Sequence, residues 1–174
     1  MSMPPNSSQV ESNAKRIRTL ILDVDGVLTD GAVHYLSDGT EFKSFHVRDG
    51  LGVQLMRAAG CHVAIISGRE SESVTRRARE LGINPVYQGV DDKVGAFEEI
   101  LHNLDCSEQQ TAYIGDDLPD LPLIKRCGLG FAVADAAPEV RTAAQVVLRS
   151  AGGKGAVREA CELILKAKGS WNVY

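Results

Sequence analysis

A chain of 174 residues can bury one substantial core, and 44% apolar with 24% charged residues is the balance of an ordinary globular domain, not of a disordered or fibrous chain. The formal net charge of -4 points away from nucleic acid and anionic membrane surfaces, while leaving room for a local basic pocket that takes a phosphorylated substrate. No apolar run approaches the length needed to span a bilayer.

In chain order, Met1 to Lys15 is polar, carries Pro4 and Pro5, and lacks the apolar region of a signal peptide. Residues 1–15 are therefore expected to be a disordered leader, and the protein to be cytoplasmic. Leu20-Ile21-Leu22 then runs into Asp23-Val24-Asp25-Gly26, which reads as a buried parallel strand emptying into a loop at its carboxyl end, where open α/β sheets place their ligands. Asp23 and Asp25 leave such a strand end on one face, and their mutual repulsion calls for a cation between them.

Gly31 to Val47 holds two alternating runs around Ser37-Asp38-Gly39, a hairpin signal that predicts a β-flap over the Asp23 loop. A helix is expected over Leu51 to Ala59. The strand Val63 to Ile66 ends in Ser67-Gly68-Arg69 before a helix over Glu70 to Leu81; a hydroxyl, free backbone N–H groups and a helix amino terminus together suit an anion. After a strand ending near Tyr87, Lys93 opens a helix expected to reach Leu104. A lysine there opposes the helix dipole, so a phosphate or carboxylates are expected beside it.

The strand Thr111 to Gly115 empties into Asp116-Asp117-Leu118-Pro119-Asp120. Hard carboxylate oxygens gathered at a buried strand end select Mg2+. Further helices are expected over Leu118 to Arg126, Pro138 to Ala143 and Gly155 to Ala167, with strands ending near Val133 and over Gln145 to Leu148. The series predicts an α/β, doubly wound, mostly parallel sheet with a hairpin flap and no cap domain. The four cysteines, Cys61, Cys106, Cys127 and Cys161, are scattered and read as reduced packing residues. His34 and His46 read as packing or interface residues, and His62 and His102 as structural.

D-x-D, then Ser67, then Lys93, then G-D-D-x-x-D, each at a strand end and in this order, resembles the haloacid dehalogenase superfamily of aspartate-dependent phosphatases over residues 17–166. The resemblance implies Asp23 as nucleophile, Asp25 as general acid and base, Ser67, Gly68 and Lys93 as the phosphate site, and Asp23, Asp116 and the Asp25 carbonyl as Mg2+ ligands. Asp117 and Asp120 match accessory acidic positions.

Three further segments, Phe45-His46-Val47-Arg48-Asp49-Gly50, Tyr87-Gln88-Gly89 and Ala151-Gly152-Gly153-Lys154-Gly155-Ala156-Val157-Arg158-Glu159, narrow the likeness to the 3-deoxy-D-manno-octulosonate 8-phosphate phosphatases of lipopolysaccharide inner-core synthesis. That family implies a phosphorylated sugar acid as substrate and a capless homotetramer in which a neighbouring subunit closes each site. It also implies Arg48, Arg69 and Arg77 as cations for the sugar acid, and glycines at 151–155 that let backbone approach a ligand or a neighbour's site, unless the loop is a plain flexible connection. Residues 16–168 are expected to form the phosphatase domain and 169–174 a tail, with Trp171 and Tyr174 either reaching an adjacent site or exposed. Two alternatives remain open in the residues themselves: a nonulosonate 9-phosphate phosphatase, and a non-catalytic tetramerising module.

Overall fold

The structure, a computed structural model, describes residues 7–171. Helix α1 (Ser7–Arg16) leads into strand β1 (Thr19–Leu22), followed by the flap strands β2 (His34–Tyr35) and β3 (Glu41–Phe42) and helix α2 (Val47–Ala58). Next come β4 (His62–Ile66), α3 (Glu72–Leu81), β5 (Val86–Tyr87), α4 (Lys93–Asn103) and β6 (Thr111–Gly115). The chain finishes with α5 (Leu121–Arg126), β7 (Leu129–Ala132), α6 (Pro138–Ala143), β8 (Val146–Val147) and α7 (Ala156–Ala167). No helix among the described residues is long and apolar enough to cross a membrane.

The main sheet has six strands in the order β5-β4-β1-β6-β7-β8, every pairing parallel. The chain winds outward from β1 through β4 to β5, then returns through β6 to β8, so the winding reverses between β1 and β6. That reversal leaves a crevice at the carboxyl ends of the strands. β1 is completely buried, as a central strand covered on both faces must be. Register sets Leu22 opposite both Ile65 and Ile114, which brings the residues following β1, β4 and β6 to one edge of the sheet.

Local chemistry fixes several boundaries. The expected helix from Leu51 starts earlier, at Val47, because His46 Nδ1 accepts the Arg48 N–H at 3.2 Å and caps it. The expected helix over Leu118 to Arg126 divides into a 3-10 turn at Leu118–Asp120 and α5, since Pro122 lacks the N–H that a continuous helix would require. The flap forms as an antiparallel pair around Gly39, whose φ of 86° suits the turn, with Asp38 accepting the Thr40 N–H and His34 stacked on Phe42.

One expectation is corrected outright. Residues 7–15 of the supposed disordered leader belong to α1, and residues 1–6 lie outside the described residues. α1 packs against α7 and buries Ala14, with Ile17 following it into the core. Ten residues make a marginal helix alone; docking on α7 holds it. Trp171 also packs onto α7, with the Arg158 and Lys166 cations over its ring, whereas Tyr174 lies outside the described residues. Replacing Ala14 with Glu would bury an unpaired charge, so A14E is expected to cost about 3 kcal/mol or more in urea unfolding. A change below about 0.5 kcal/mol would mean that α1 is not docked.

Candidate active site

Where β1 ends, the Asp23 N–H donates to the Ile114 carbonyl at 3.1 Å, so pairing with β6 continues through the first acidic residue. The N–H groups of Val27, Leu28 and Thr29 then all converge on the Val24 carbonyl. This tight turn carries Asp25 and Gly26. Gly26 has a φ of 84°, and a Cβ there would lie 2.0 Å from Asp116 Oδ2. Glycine is thus required twice over, for the left-handed backbone and for the approach of the Asp116 carboxylate.

From β4, Ser67 is held by its N–H to the Tyr87 carbonyl at 2.9 Å and by its own carbonyl accepting from Val90 at 3.1 Å. Its Oγ accepts the Arg69 N–H at 3.3 Å. From α4, capped by the Asp92 side chain, Lys93 places Nζ 3.1 Å from Asp23 Oδ1 and 2.7 Å from Asp120 Oδ1. Asp23, Asp25, Ser67, Gly68, Arg69, Lys93 and Asp116 all line one cavity of about 480 Å³.

Electrostatics there are severe. Burial, then the nearby Asp120 charge, pushes Asp23 up to about 6 against the opposing pull of Lys93. Burial followed by Asp23 and Asp120 pushes Asp116 up to about 8. Burial disfavours the Lys93 ammonium, yet Asp23 and Asp120 prevail and raise its pKa above the ordinary value. Oxygens of Asp23, Asp116 and Asp120 lie within 4.8 Å of one another. Hard, crowded and under-neutralised, the set fits a divalent cation.

Asp120 has the least capacity to join as a direct ligand. Its Oδ1 accepts from Lys93 and from the Tyr113 hydroxyl, both at 2.7 Å. Its Oδ2 accepts the N–H groups of Asp116 at 2.9 Å and Asp117 at 3.2 Å. With these four donors taken, Asp120 anchors the β6 loop and Lys93, and Asp23 and Asp116 keep the freer oxygens. Asp117 caps the 3-10 turn through Leu118 N–H.

The arginines divide. Arg69 lies on the cavity with Nε 3.6 Å from Asp25 Oδ2. Arg48 does not; it stands beside the His46 cap and lines a separate cavity of about 550 Å³ with Arg149, Lys154 and Arg158. Nor does Arg77, which pairs with Glu80 at 3.3 Å and lies so close to Gly50 that a Cβ there would approach Nη2 to 2.3 Å. Within one chain, therefore, Arg48 and Arg77 are not brought to the site: the first belongs to the start of α2 and the second to the α3 face packed on α2.

The 151–155 loop also differs from expectation. A Cβ on Gly152 would lie 1.8 Å from the Gly26 carbonyl oxygen, and Gly153 N–H donates to the Val27 carbonyl at 2.9 Å. These glycines approach the backbone of the Asp23 loop itself and buttress it. Lys43 escaped the sequence reading altogether. It stands on the flap next to β3, its side chain only 2% exposed, with Nζ bonded to Asp25 Oδ1. Only its alternation with Glu41 in a flap expected over an acidic site signalled it.

A profile of haloacid dehalogenase-like hydrolases matches residues 86–160. The 3-deoxy-D-manno-octulosonate 8-phosphate phosphatase of Escherichia coli K12 is 47% identical over 165 residues, which cover 95% of this chain and 88% of that protein. The enzyme of the same name from Yersinia pestis, as a crystal structure, superposes with a TM-score of 0.93 at 46% identity, covering 95% of this chain and 90% of that one. The Moraxella catarrhalis enzyme, crystallised with a magnesium ion, a phosphate ion and a KDO molecule, has a TM-score of 0.93 at 44% identity, covering 95% of each chain. With the acidic cavity at the ends of β1, β4 and β6 in place, this chain belongs to the 3-deoxy-D-manno-octulosonate 8-phosphate phosphatase family of haloacid dehalogenase-like hydrolases.

Proposed function

We propose that the protein is a Mg2+-dependent phosphoric monoester hydrolase that converts 3-deoxy-D-manno-octulosonate 8-phosphate to the free sugar acid and inorganic phosphate, the step that serves lipopolysaccharide inner-core synthesis. The observation that carries this reading is the meeting of Asp23, Asp25, Ser67, Lys93 and Asp116 around one cavity in a chain 47% identical to such a phosphatase.

Asp23 is the nucleophile. Its carboxylate attacks phosphorus to give an aspartyl phosphate, as the bond to the sugar oxygen breaks and that oxygen takes the Asp25 proton. Asp25 then accepts a proton from the attacking water, and phosphate leaves while Asp23 is restored. Ser67, the N–H groups around Gly68 and Lys93 hold the phosphoryl oxygens, and Lys93, already salt-bridged to Asp23, offsets the repulsion between carboxylate and phosphate. Asp23, Asp116 and the Asp25 carbonyl would hold Mg2+, which supplies charge neutralisation of the phosphoryl group and of the crowded carboxylates.

The proposed working form is a cytoplasmic homotetramer. The flap supports it: Val33, Tyr35, Leu36 and Phe42 are large apolar residues left 43–64% exposed, with Val47 at the start of α2 also exposed, a concentration that marks an association surface. In the assembly a neighbouring chain covers this flap and completes the site.

Three outcomes test the reading. Mg2+-dependent phosphate release is expected to favour the eight-carbon acid over a nonulosonate 9-phosphate and a hexose 6-phosphate, and D23N to lower it at least about 1,000-fold; preference for the nine-carbon acid would change the substrate and keep the mechanism. Mg2+ at about 100 times its Kd should stabilise the folded protein by about 2.7 kcal/mol in thermal or denaturant unfolding, and D116N should erase that gain. In sedimentation, a Tyr35→Asp, Leu36→Asp double variant is expected to shift a tetramer to smaller species, and a wild-type monomer at working concentration would exclude the shared-site form.

A further inference from the structure

Four charged groups form a closed circuit between the flap and the Asp25 loop. Lys43 Nζ contacts Asp25 Oδ1 at 2.5 Å and Glu41 Oε1 at 3.3 Å. Arg69, from the end of β4, brings Nη2 to Glu41 Oε2 at 2.5 Å and Nε to Asp25 Oδ2 at 3.6 Å. Each carboxylate thus touches both cations, and each cation both carboxylates. Lys43 is the most buried member, its side chain 2% exposed against 43% for Arg69. A lysine with its side chain this far out of water acts through its contacts.

The two Asp25 oxygens are not equivalent. Oδ1 is taken by Lys43, a donor that accepts nothing. Among the described residues Oδ2 has only the longer contact to Arg69, and Arg69 lines the cavity while Lys43 does not. We infer that Lys43 is a positioning residue: anchored by Glu41 in the flap, it pins one Asp25 oxygen and leaves the other facing the leaving group. Flap placement then sets the alignment of the proton donor, because Lys43 and Glu41 both belong to the flap.

This inference rests on the role proposed for Asp25, and its test separates the two. K43M keeps stem length without the cation, and K43R restores a donor. With the eight-carbon sugar acid phosphate and Mg2+, K43M is expected to lower kcat about 10- to 100-fold, as expected for a misplacement near 1 Å, with KM within about 3-fold and the circular dichroism of a folded protein. K43R should recover kcat to within about 5-fold of wild type. A crystal structure of K43M, independent of turnover, should show Asp25 rotated away from its wild-type position.

An unchanged kcat, a loss carried in KM, or an Asp25 unmoved in the K43M crystal would each overturn the positioning role. A wild-type protein that releases no phosphate would refute the proposed function, and the crystal would still decide whether Lys43 places Asp25.

Discussion

The structure depends on a charge imbalance held at the edge of its sheet. Asp23, Asp116 and Asp120 converge within 4.8 Å, and among the described residues Lys93 is the cation placed between two of them. Two carboxylates at that separation repel by about 3–4 kcal/mol at an effective dielectric of 20. The fold tolerates this because Asp120 is completely committed, to Lys93, Tyr113 and two backbone N–H groups. It therefore acts as fixed scaffolding, and Asp23 and Asp116 retain the unmet demand for positive charge, visible in carboxyl groups pushed up to about 6 and about 8.

Glycine makes the crowding geometrically possible. At Gly26 a single missing methyl group admits the Asp116 carboxylate, and on the other side of the same loop Gly152 and Gly153 press against the Gly26 and Thr29 backbone. The loop bearing Asp23 and Asp25 is thus clamped between the β6 loop and the turn before α7. α7 is tied in turn to α2, where the buried Asp49 Oδ1 accepts the Arg158 N–H at 2.8 Å. The bracing of this loop thus reaches through helix packing well beyond the residues that line the cavity.

What could be read in the sequence was whatever is local along the chain. A buried strand ending in Asp23, a serine after Ile66, a lysine opening α4 and the acidic run after Gly115 each declare themselves within a few residues, and parallel register aligns them without further information. Contacts across long separations left no such mark. Lys43 meets Asp25 18 residues away, and Gly152 meets Gly26 across most of the chain. Helix α1 was missed for a related reason: its segment, SSQVESNAKR, is mostly polar, and its helicity comes from packing on α7 instead of from composition. Arg48 and Arg77 were legible as cations, but a side chain's direction depends on the helix face it occupies, and both faces point away from the cavity of their own chain.

The direction of these two side chains bears on how a sugar acid could be told from other phosphate esters. Among the residues lining the cavity, the cations are Lys93 and Arg69. Lys93 is paired with Asp23 and Asp120, and Arg69 with Asp25 and Glu41. The rest of the lining offers carboxylates, small residues, Val90 and Pro119. Among the described residues, one chain thus provides a place for a phosphoryl group and almost nothing with which to hold a carboxylate several carbons away. An enzyme that discriminates by the far end of its substrate needs interactions there that strengthen the reacting geometry. In the proposed assembly they would come from a neighbouring chain, and the exposed apolar flap and the sparsely furnished cavity would then be two aspects of one requirement. Shielding the flap and supplying the missing cation would be achieved by the same contact.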